Sequence, residues 1–186
     1  MPKHGQLHPK KMRNPNACAR NNGNIQTTLS IEKYGDGMKR AIIIYDTKFG
    51  NTEKIAKALA IGMEKEGVKV DCVKADEVDV DKLGECDFLA FGAPTHAFGI
   101  SKPMKAFLEK LKSVNLKGKK AFAFDTKYKS RLAGSAAKGI EKRLKEFGMS
   151  IIKPYTSAIV KGSEGPLAEG MEESFEKIGS EIAELI

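Results

Sequence analysis

Several residue types are scarce in this chain, and each scarcity excludes a class of protein. The 186 residues include no tryptophan and only three cysteines, Cys18, Cys72 and Cys86. Three cysteines cannot all pair within one chain, and their spacing matches no zinc-ligand pattern. A disulfide-rich scaffold and a zinc module are therefore excluded. Cys72 falls in a predicted strand, where we expect it to be a small buried hydrophobic side chain.

Long apolar runs and the common nucleotide-binding signatures are also lacking. No apolar stretch approaches the roughly 20 residues of a membrane-spanning helix, and the first residues lack the apolar segment of a signal peptide. We therefore expect a cytoplasmic protein with no membrane partner. The sequence contains no Gly-x-x-x-x-Gly-Lys-Ser/Thr, and no Gly-x-Gly-x-x-Gly follows its first predicted strand. No pair of nucleophile and base is visible, so no catalytic residue is assigned.

The first 37 residues differ in composition from the rest. They are rich in Asn, Gly, Lys and Pro and have almost no apolar periodicity, so we expect residues 1–37 to be a disordered or loosely attached basic extension. They hold six basic and two acidic residues, hence +4 of the net +8, and the other 26 basic and 22 acidic residues give the remaining +4. We do not expect this extension to bind nucleic acid. Because Met38 lies just before the first predicted strand, we interpret the extension as the product of a misassigned start codon, and the sequence leaves its presence in the native protein open.

The most informative stretch covers residues 41–56, which read AIIIYDTKFGNTEKIA. Its short β-branched run predicts a buried strand, and the apolar spacing that follows predicts a helix from about Thr52 to Glu66. A strand, a polar turn and a helix direct unpaired N–H groups and the positive end of the helix at one spot, which favours an anion such as phosphate. Thr47, Asn51 and Thr52 would add side-chain donors, and Gly50 would allow close backbone approach. An ordinary capped turn is the alternative.

Short strands and amphipathic helices alternate along the rest of the chain. We predict further strands at 68–73, 87–92, 119–124 and 150–160, the last in two pieces around Pro154. Helices are predicted after Ser101, at 134–147 and from about residue 167. Five strands that alternate with helices predict a parallel sheet covered on both faces, which binds ligands at the carboxyl ends of its strands.

Two motifs resemble those of the flavodoxin family. Asp46–Thr52 resembles the phosphate loop that wraps the phosphate of FMN, in a form closest to the flavodoxin module of flavodiiron-type proteins, although Phe49 stands where a hydroxyl is usual. Gly92–Thr95 resembles the Gly-x-Pro-Thr that lines the flavin in flavodoxin-like quinone reductases and flavodiiron modules. The resemblance spans residues 38–186. It implies an α/β, flavodoxin-like three-layer sandwich with a five-stranded parallel sheet of order 2-1-3-4-5.

The resemblance also implies which loops would hold FMN. The candidate cofactor-binding residues are Thr47, Lys48, Phe49, Gly50, Asn51 and Thr52 in the first loop, Pro94, Thr95, His96, Ala97, Phe98 and Gly99 in the second, and Asp125, Thr126, Lys127, Tyr128 and Gly134 in the third. His96 is either a surface residue or a donor beside the flavin, and Tyr128 either stacks on the ring or is an exposed loop residue. Because Gly99 carries no Cβ, we expect Phe98–Gly99 to be the peptide that turns over.

For function, the resemblance favours an FMN-binding redox protein that transfers electrons to or from a partner protein, such as an iron–sulfur protein, a di-iron protein or a reductase. One alternative is an NAD(P)H- or quinone-linked FMN reductase acting on a small quinone, and another is a flavin-free binding module, for which Phe49 argues. His96 is the only histidine of residues 38–186, so no internal di-iron site or other metal site is expected. The mildly basic charge of this segment favours acidic partners or anionic substrates. The oligomeric state stays open.

Overall fold

The computed structural model describes residues 37–130 and 132–186. The predictions for residues 1–36 lie outside this range and remain predictions. The strands are β1 (Arg40–Tyr45), β2 (Lys69–Lys74), β3 (Phe88–His96), β4 (Gly99–Ile100), β5 (Lys120–Tyr128), β6 (Ser150–Ile151) and β7 (Thr156–Val160). The α-helices are α1 (Asn51–Lys65), α2 (Lys102–Lys110), α3 (Ala136–Glu146) and α4 (Met171–Leu185), and short 3₁₀ helices cover Val80–Glu85 and Leu111–Ser113.

The strands form one sheet in the order β2-β1-β3-β5, with both β6 and β7 beside β5. All of these pairings are parallel. The order confirms the predicted 2-1-3-4-5 arrangement, because β6 and β7 are the two pieces of the predicted fifth strand. β4 was not predicted. It turns back and pairs antiparallel with the end of β3.

Both faces of the sheet are covered, as the buried β1 requires. On one face Ile43 packs in a cluster with α1 and α4, whereas Ile42 and Ile44 belong to a second cluster with α2 and α3 on the other face. Alternate residues of a strand point to opposite faces, so a strand that is apolar throughout is buried on both sides. The three-layer sandwich is confirmed.

The two central strands run further than their apolar residues indicate. The predicted strands ended at Gly92 and Phe124, but β3 continues to His96 and β5 to Tyr128. The ladder continues through polar positions, since Ala93 pairs with Asp125 and Pro94 with Thr126. The added residues are those of the two motif loops. The sheet itself therefore holds the start of both loops at its carboxyl edge.

Candidate functional site

The first part of the site is the amino end of α1. Gly50 occupies the position before the helix with φ of 81°, a left-handed conformation that glycine adopts without strain. Its N–H donates to Thr47 Oγ1 over 3.0 Å. The first bond of the helix runs from the Lys54 N–H to the Gly50 carbonyl oxygen, so the N–H groups of residues 51–53 come before the helical ladder begins. This end of α1 carries the partial positive charge that attracts an anion.

Two predicted side-chain donors of this loop are already engaged with other parts of the protein. The hydroxyls of Thr52 and Thr126 lie 2.9 Å apart and are buried, so they share one hydrogen bond that ties the loop to the end of β5. Asn51 Nδ2 donates to the carbonyl oxygen of Glu164 over 2.9 Å, which holds the loop between β7 and α4 against α1. Only part of the predicted donor capacity therefore faces a ligand.

A cavity of about 60 Å³ lies in front of the amino end of α1. It brings together residues of all three predicted loops and of the loop after β7. The lining residues are Thr47, Lys48, Phe49, Asn51, Thr52, Pro94, Thr95, Thr126, Lys127, Tyr128, Val160 and Ser163. The hydroxyls, the helix end and the lysines Lys48 and Lys127 together make a donor set suited to a phosphate group.

Asp125 lies behind this cavity rather than in its lining. Its carboxylate is fully buried, and Oδ2 accepts hydrogen bonds from Thr95 Oγ1 at 2.9 Å, Ser135 Oγ at 2.7 Å and the Ala137 N–H at 3.0 Å. Thr95 Oγ1 also accepts from the Ala136 N–H at 2.9 Å. Three donors and the positive end of α3 stabilise the buried charge at Oδ2, whereas the buried Oδ1 has no hydrogen-bond partner among the described residues. Asp125, predicted as a cofactor-binding residue, thus holds Thr95 against α3.

The turn between β3 and β4 has an unusual backbone. His96 pairs with Gly99, and the two residues between them, Ala97 and Phe98, have φ of 44° and 69°. Positive φ at both central positions is the pattern of a type I′ hairpin turn, which normally contains glycine or asparagine. Gly99 is not among the residues with positive φ, so the left-handed conformation lies on the two residues before it. The expectation that the Phe98–Gly99 peptide turns over stays a prediction.

Gly134 fixes this turn against the loop after β5. Its φ is 67°, and a Cβ there would overlap the carbonyl oxygen of Phe98. Lys127 Nζ donates to the Gly134 carbonyl oxygen over 2.7 Å. The second and third predicted loops therefore touch each other through Gly134, although Gly134 itself does not line the cavity.

A larger groove of about 700 Å³ lies beside the cavity and shares Tyr128 and Val160 with it. Phe98, which is 74% exposed, lies at its edge. The other lining residues are Lys129, Ser130, Leu132, Ala133, Ile159, Lys161 and Ala168. His96 and Ala97 are exposed and Gly99 is partly buried, and none of the three lines either space.

Four residues at or behind the cavity are among those missed in the sequence. Ser135 stands just before an alanine-rich helix, and this helix-start signal could have found it. Glu164 contributes only its backbone carbonyl oxygen. Val160 is the last residue of β7, Ser163 lies in the loop after it, and both line the cavity. No local pattern marks these three residues, because Glu164 bonds to Asn51 and the cavity joins Val160 and Ser163 to loops more than 30 positions away.

A family model described as flavodoxin matches residues 43–178. The chain belongs to the flavodoxin family. The flavodoxin of Aquifex aeolicus is 30% identical over 166 residues, which cover 80% of this chain and 88% of that protein. The match to the flavodoxin of Clostridium saccharobutylicum is 36% identical over 85 residues and spans 45% of this chain and about half, 53%, of that protein. The predicted resemblance is confirmed.

Solved structures show the same relationship. A flavodoxin from the domain Archaea superposes with a TM-score of 0.70 at 28% identity, over 78% of this chain and 97% of that one. The flavodiiron core of Flv1 from Synechocystis superposes with a TM-score of 0.66 at 22% identity, over 79% of this chain and 36% of that one, which shows the shared fold alone. Flavodoxin-family proteins bind FMN and transfer electrons to redox partner proteins.

Proposed function

We propose that this protein holds FMN at the carboxyl edge of its sheet and exchanges electrons with a partner protein. The observation that carries the proposal is the convergence of the α1 amino end, the hydroxyls of Thr47, Thr52 and Thr126, and Lys127 on one small cavity. Such a donor set suits the phosphate of FMN. Family membership supports the choice of cofactor.

Each part of the site would have a separate task. Residues 47–52 would hold the phosphate, with the N–H groups of residues 51–53 as backbone donors. The ring would lie toward the larger groove, because that groove adjoins the cavity through Tyr128 and Val160. Phe98 and Tyr128 are the aromatic side chains that would cover it. FMN itself supplies the ability to take up and release one or two electrons.

The charges around the cavity would tune that chemistry. Lys48 and Lys127 would favour a negatively charged flavin and so raise its reduction potential. An electron-rich face from Tyr128 would act in the opposite direction. Asp125 would act indirectly, because its hydrogen bonds keep Thr95 and the start of α3 in place beside the cavity.

A second candidate function is an NAD(P)H- or quinone-linked FMN reductase. The observation that favours it is the size of the groove, about 700 Å³, which is within the range of small-molecule sites. Its many apolar lining residues would accept a planar quinone. A flavin-free binding module is the third candidate, and the exposed Phe49 in the phosphate loop is its only support. Within the described ranges, no helix has the length and apolar character needed to span a membrane.

Absorbance and turnover separate these functions. The protein purified in excess FMN and then desalted should show the visible bands of a bound flavin, and a colourless protein would leave the binding module as the remaining candidate. With flavin bound, the electron-transfer protein should show no sustained oxidation of NADH or NADPH in the presence of a quinone. Multiple turnovers in that assay would favour the reductase instead.

A further inference from the structure

Four large apolar side chains are exposed around the proposed flavin site. Phe49, Phe98, Tyr128 and Leu132 have exposed fractions of 44%, 74%, 46% and 83%. Tyr128 is the last residue of β5, and the other three lie on the loops after β1, β3 and β5. Three of them line the larger groove. Exposed apolar side chains that gather in one place indicate an interaction surface.

The rim of this apolar patch is positively charged. Lys129 and Lys161 line the groove, and no carboxylate of the described residues does. Lys48 lies beside the patch with its Nζ 5.1 Å from the centre of the Phe49 ring. The acidic residues near these lysines in the sequence, Asp46, Asp125, Glu164 and Glu169, lie outside the groove lining.

Some lysines on the surface of the protein are paired with carboxylates, but in the described part of the chain the two lysines of the groove are not. Lys57, Lys145 and Lys153 form ion pairs with glutamates. Within residues 37–130 and 132–186, Lys129 and Lys161 form none. Their positive charge is therefore left for a partner.

We propose that an acidic redox protein docks on this surface, which we call the basic docking face and define as Lys48, Phe49, Phe98, Tyr128, Lys129, Leu132 and Lys161. The proposal rests on the proposed function, because the docked protein would exchange electrons with FMN held beneath the face. An apolar centre with a charged rim is the usual composition of a transient interface. Complementary charge steers the encounter and raises the association rate.

Native and succinylated cytochrome c make a matched pair of probes, because they carry the same haem but opposite net charge. The FMN-loaded protein is reduced anaerobically with dithionite, freed of excess reductant and mixed with either probe. Each ferric haem takes up one electron, so one fully reduced flavin reduces two haems and its protons pass to water. At low salt we expect the acidic, succinylated probe to be reduced at least tenfold faster than the native one. Its rate should fall as salt is added.

Charge reversal tests the location of the face. The double variant Lys129→Glu/Lys161→Glu should lose most of the preference for the acidic probe. Lys39→Glu/Lys117→Glu is the matched control, since both lysines are exposed and lie at the opposite, amino end of the strands. The control should keep the wild-type preference. If Lys129→Glu/Lys161→Glu fails to bind FMN, the docking proposal is tested by the salt dependence of the wild-type rates with the two probes.

Each outcome bears on a different claim. A protein without bound flavin would overturn the proposed function, whereas a flavin-loaded protein that reduces both probes at equal, salt-independent rates would overturn only the docking proposal. Equal effects of the two double variants would also overturn it. A stable dimer in light scattering that Leu132→Asp dissolves would show that a second copy, not an acidic partner, occupies the face.

Discussion

Replacing Thr95 with valine removes one hydroxyl from the centre of the buried network and changes little else. That hydroxyl donates to Asp125 Oδ2 and accepts from the Ala136 N–H, both over 2.9 Å. Valine has nearly the same shape as threonine, so packing is retained. The variant therefore isolates the hydrogen bonds.

Two losses add up in this variant. Asp125 keeps two of its three donors, and a hydrogen bond to a charged group is worth about 1.5–3 kcal/mol. The N–H of the buried Ala136 loses its partner at the start of α3, and loss of a helix-capping acceptor costs about 0.5–2 kcal/mol. We expect the free energy of unfolding to fall by about 3 kcal/mol. At about 2–4 °C per kcal/mol for a chain of this size, the melting temperature should drop by about 6–12 °C.

Urea denaturation of the flavin-free protein gives this free energy without any contribution from ligand binding. Thr95→Ser is the matched control, because it keeps the hydroxyl, and it should lose less than about 1 kcal/mol. If the valine and serine variants unfold within 0.5 kcal/mol of each other, a margin of about the usual experimental scatter, then the hydroxyl does not hold the network together. A double-mutant cycle with Asp125→Asn should give a coupling of about 0.5–3 kcal/mol.

Three further predictions concern the loops and the amino-terminal extension. Ala97→Gly should raise the free energy of unfolding by about 1 kcal/mol, because glycine relieves the left-handed conformation at φ of 44°; a decrease in a urea titration would show that the turn is not strained. Tyr128→Ala should raise the potential at which bound FMN takes up its second electron, as it removes an electron-rich face; if anaerobic titration shows a shift for Phe98→Ala but none for Tyr128→Ala, the stacking role belongs to Phe98. A protein that begins at Met38 should melt and bind FMN as the full chain does, and a large drop in melting temperature would show that residues 1–37 stabilise the rest.

The regular part of the fold follows from local signals. The residues 41–45 are apolar throughout and are followed by helical spacing at Ile55, Leu59 and Met63, and this pattern located β1 and α1 to within one residue. Sheet order came from the resemblance together with the alternation of strands and helices. The apolar pattern could not give the ends of β3 and β5, because most of their last residues are polar and are held by pairing with β4 and β7 as well as with each other.

Part of the candidate site could also be predicted from the sequence, and part could not. The phosphate loop was predictable because the helix end, Gly50 and the threonines are neighbours in the sequence. The role of Asp125 was not, since its three donors come from Thr95, Ser135 and Ala137 on two other segments. The positive φ of Ala97 and Phe98 also escaped prediction, because neither residue type signals it and contact with Gly134 holds the turn in place.

The claim that residues 47–52 hold the phosphate of FMN is tested most directly by calorimetric titration of the flavin-free protein with FMN and with riboflavin. Riboflavin lacks only the phosphate. At about 1.5–3 kcal/mol for each hydrogen bond to a charged group, two such bonds predict at least a hundredfold preference for FMN. Thr52→Val should weaken FMN binding by about 1–2 kcal/mol and leave riboflavin unchanged, while Thr52→Ser should match the wild type. Equal affinity of the wild-type protein for FMN and riboflavin would contradict the account.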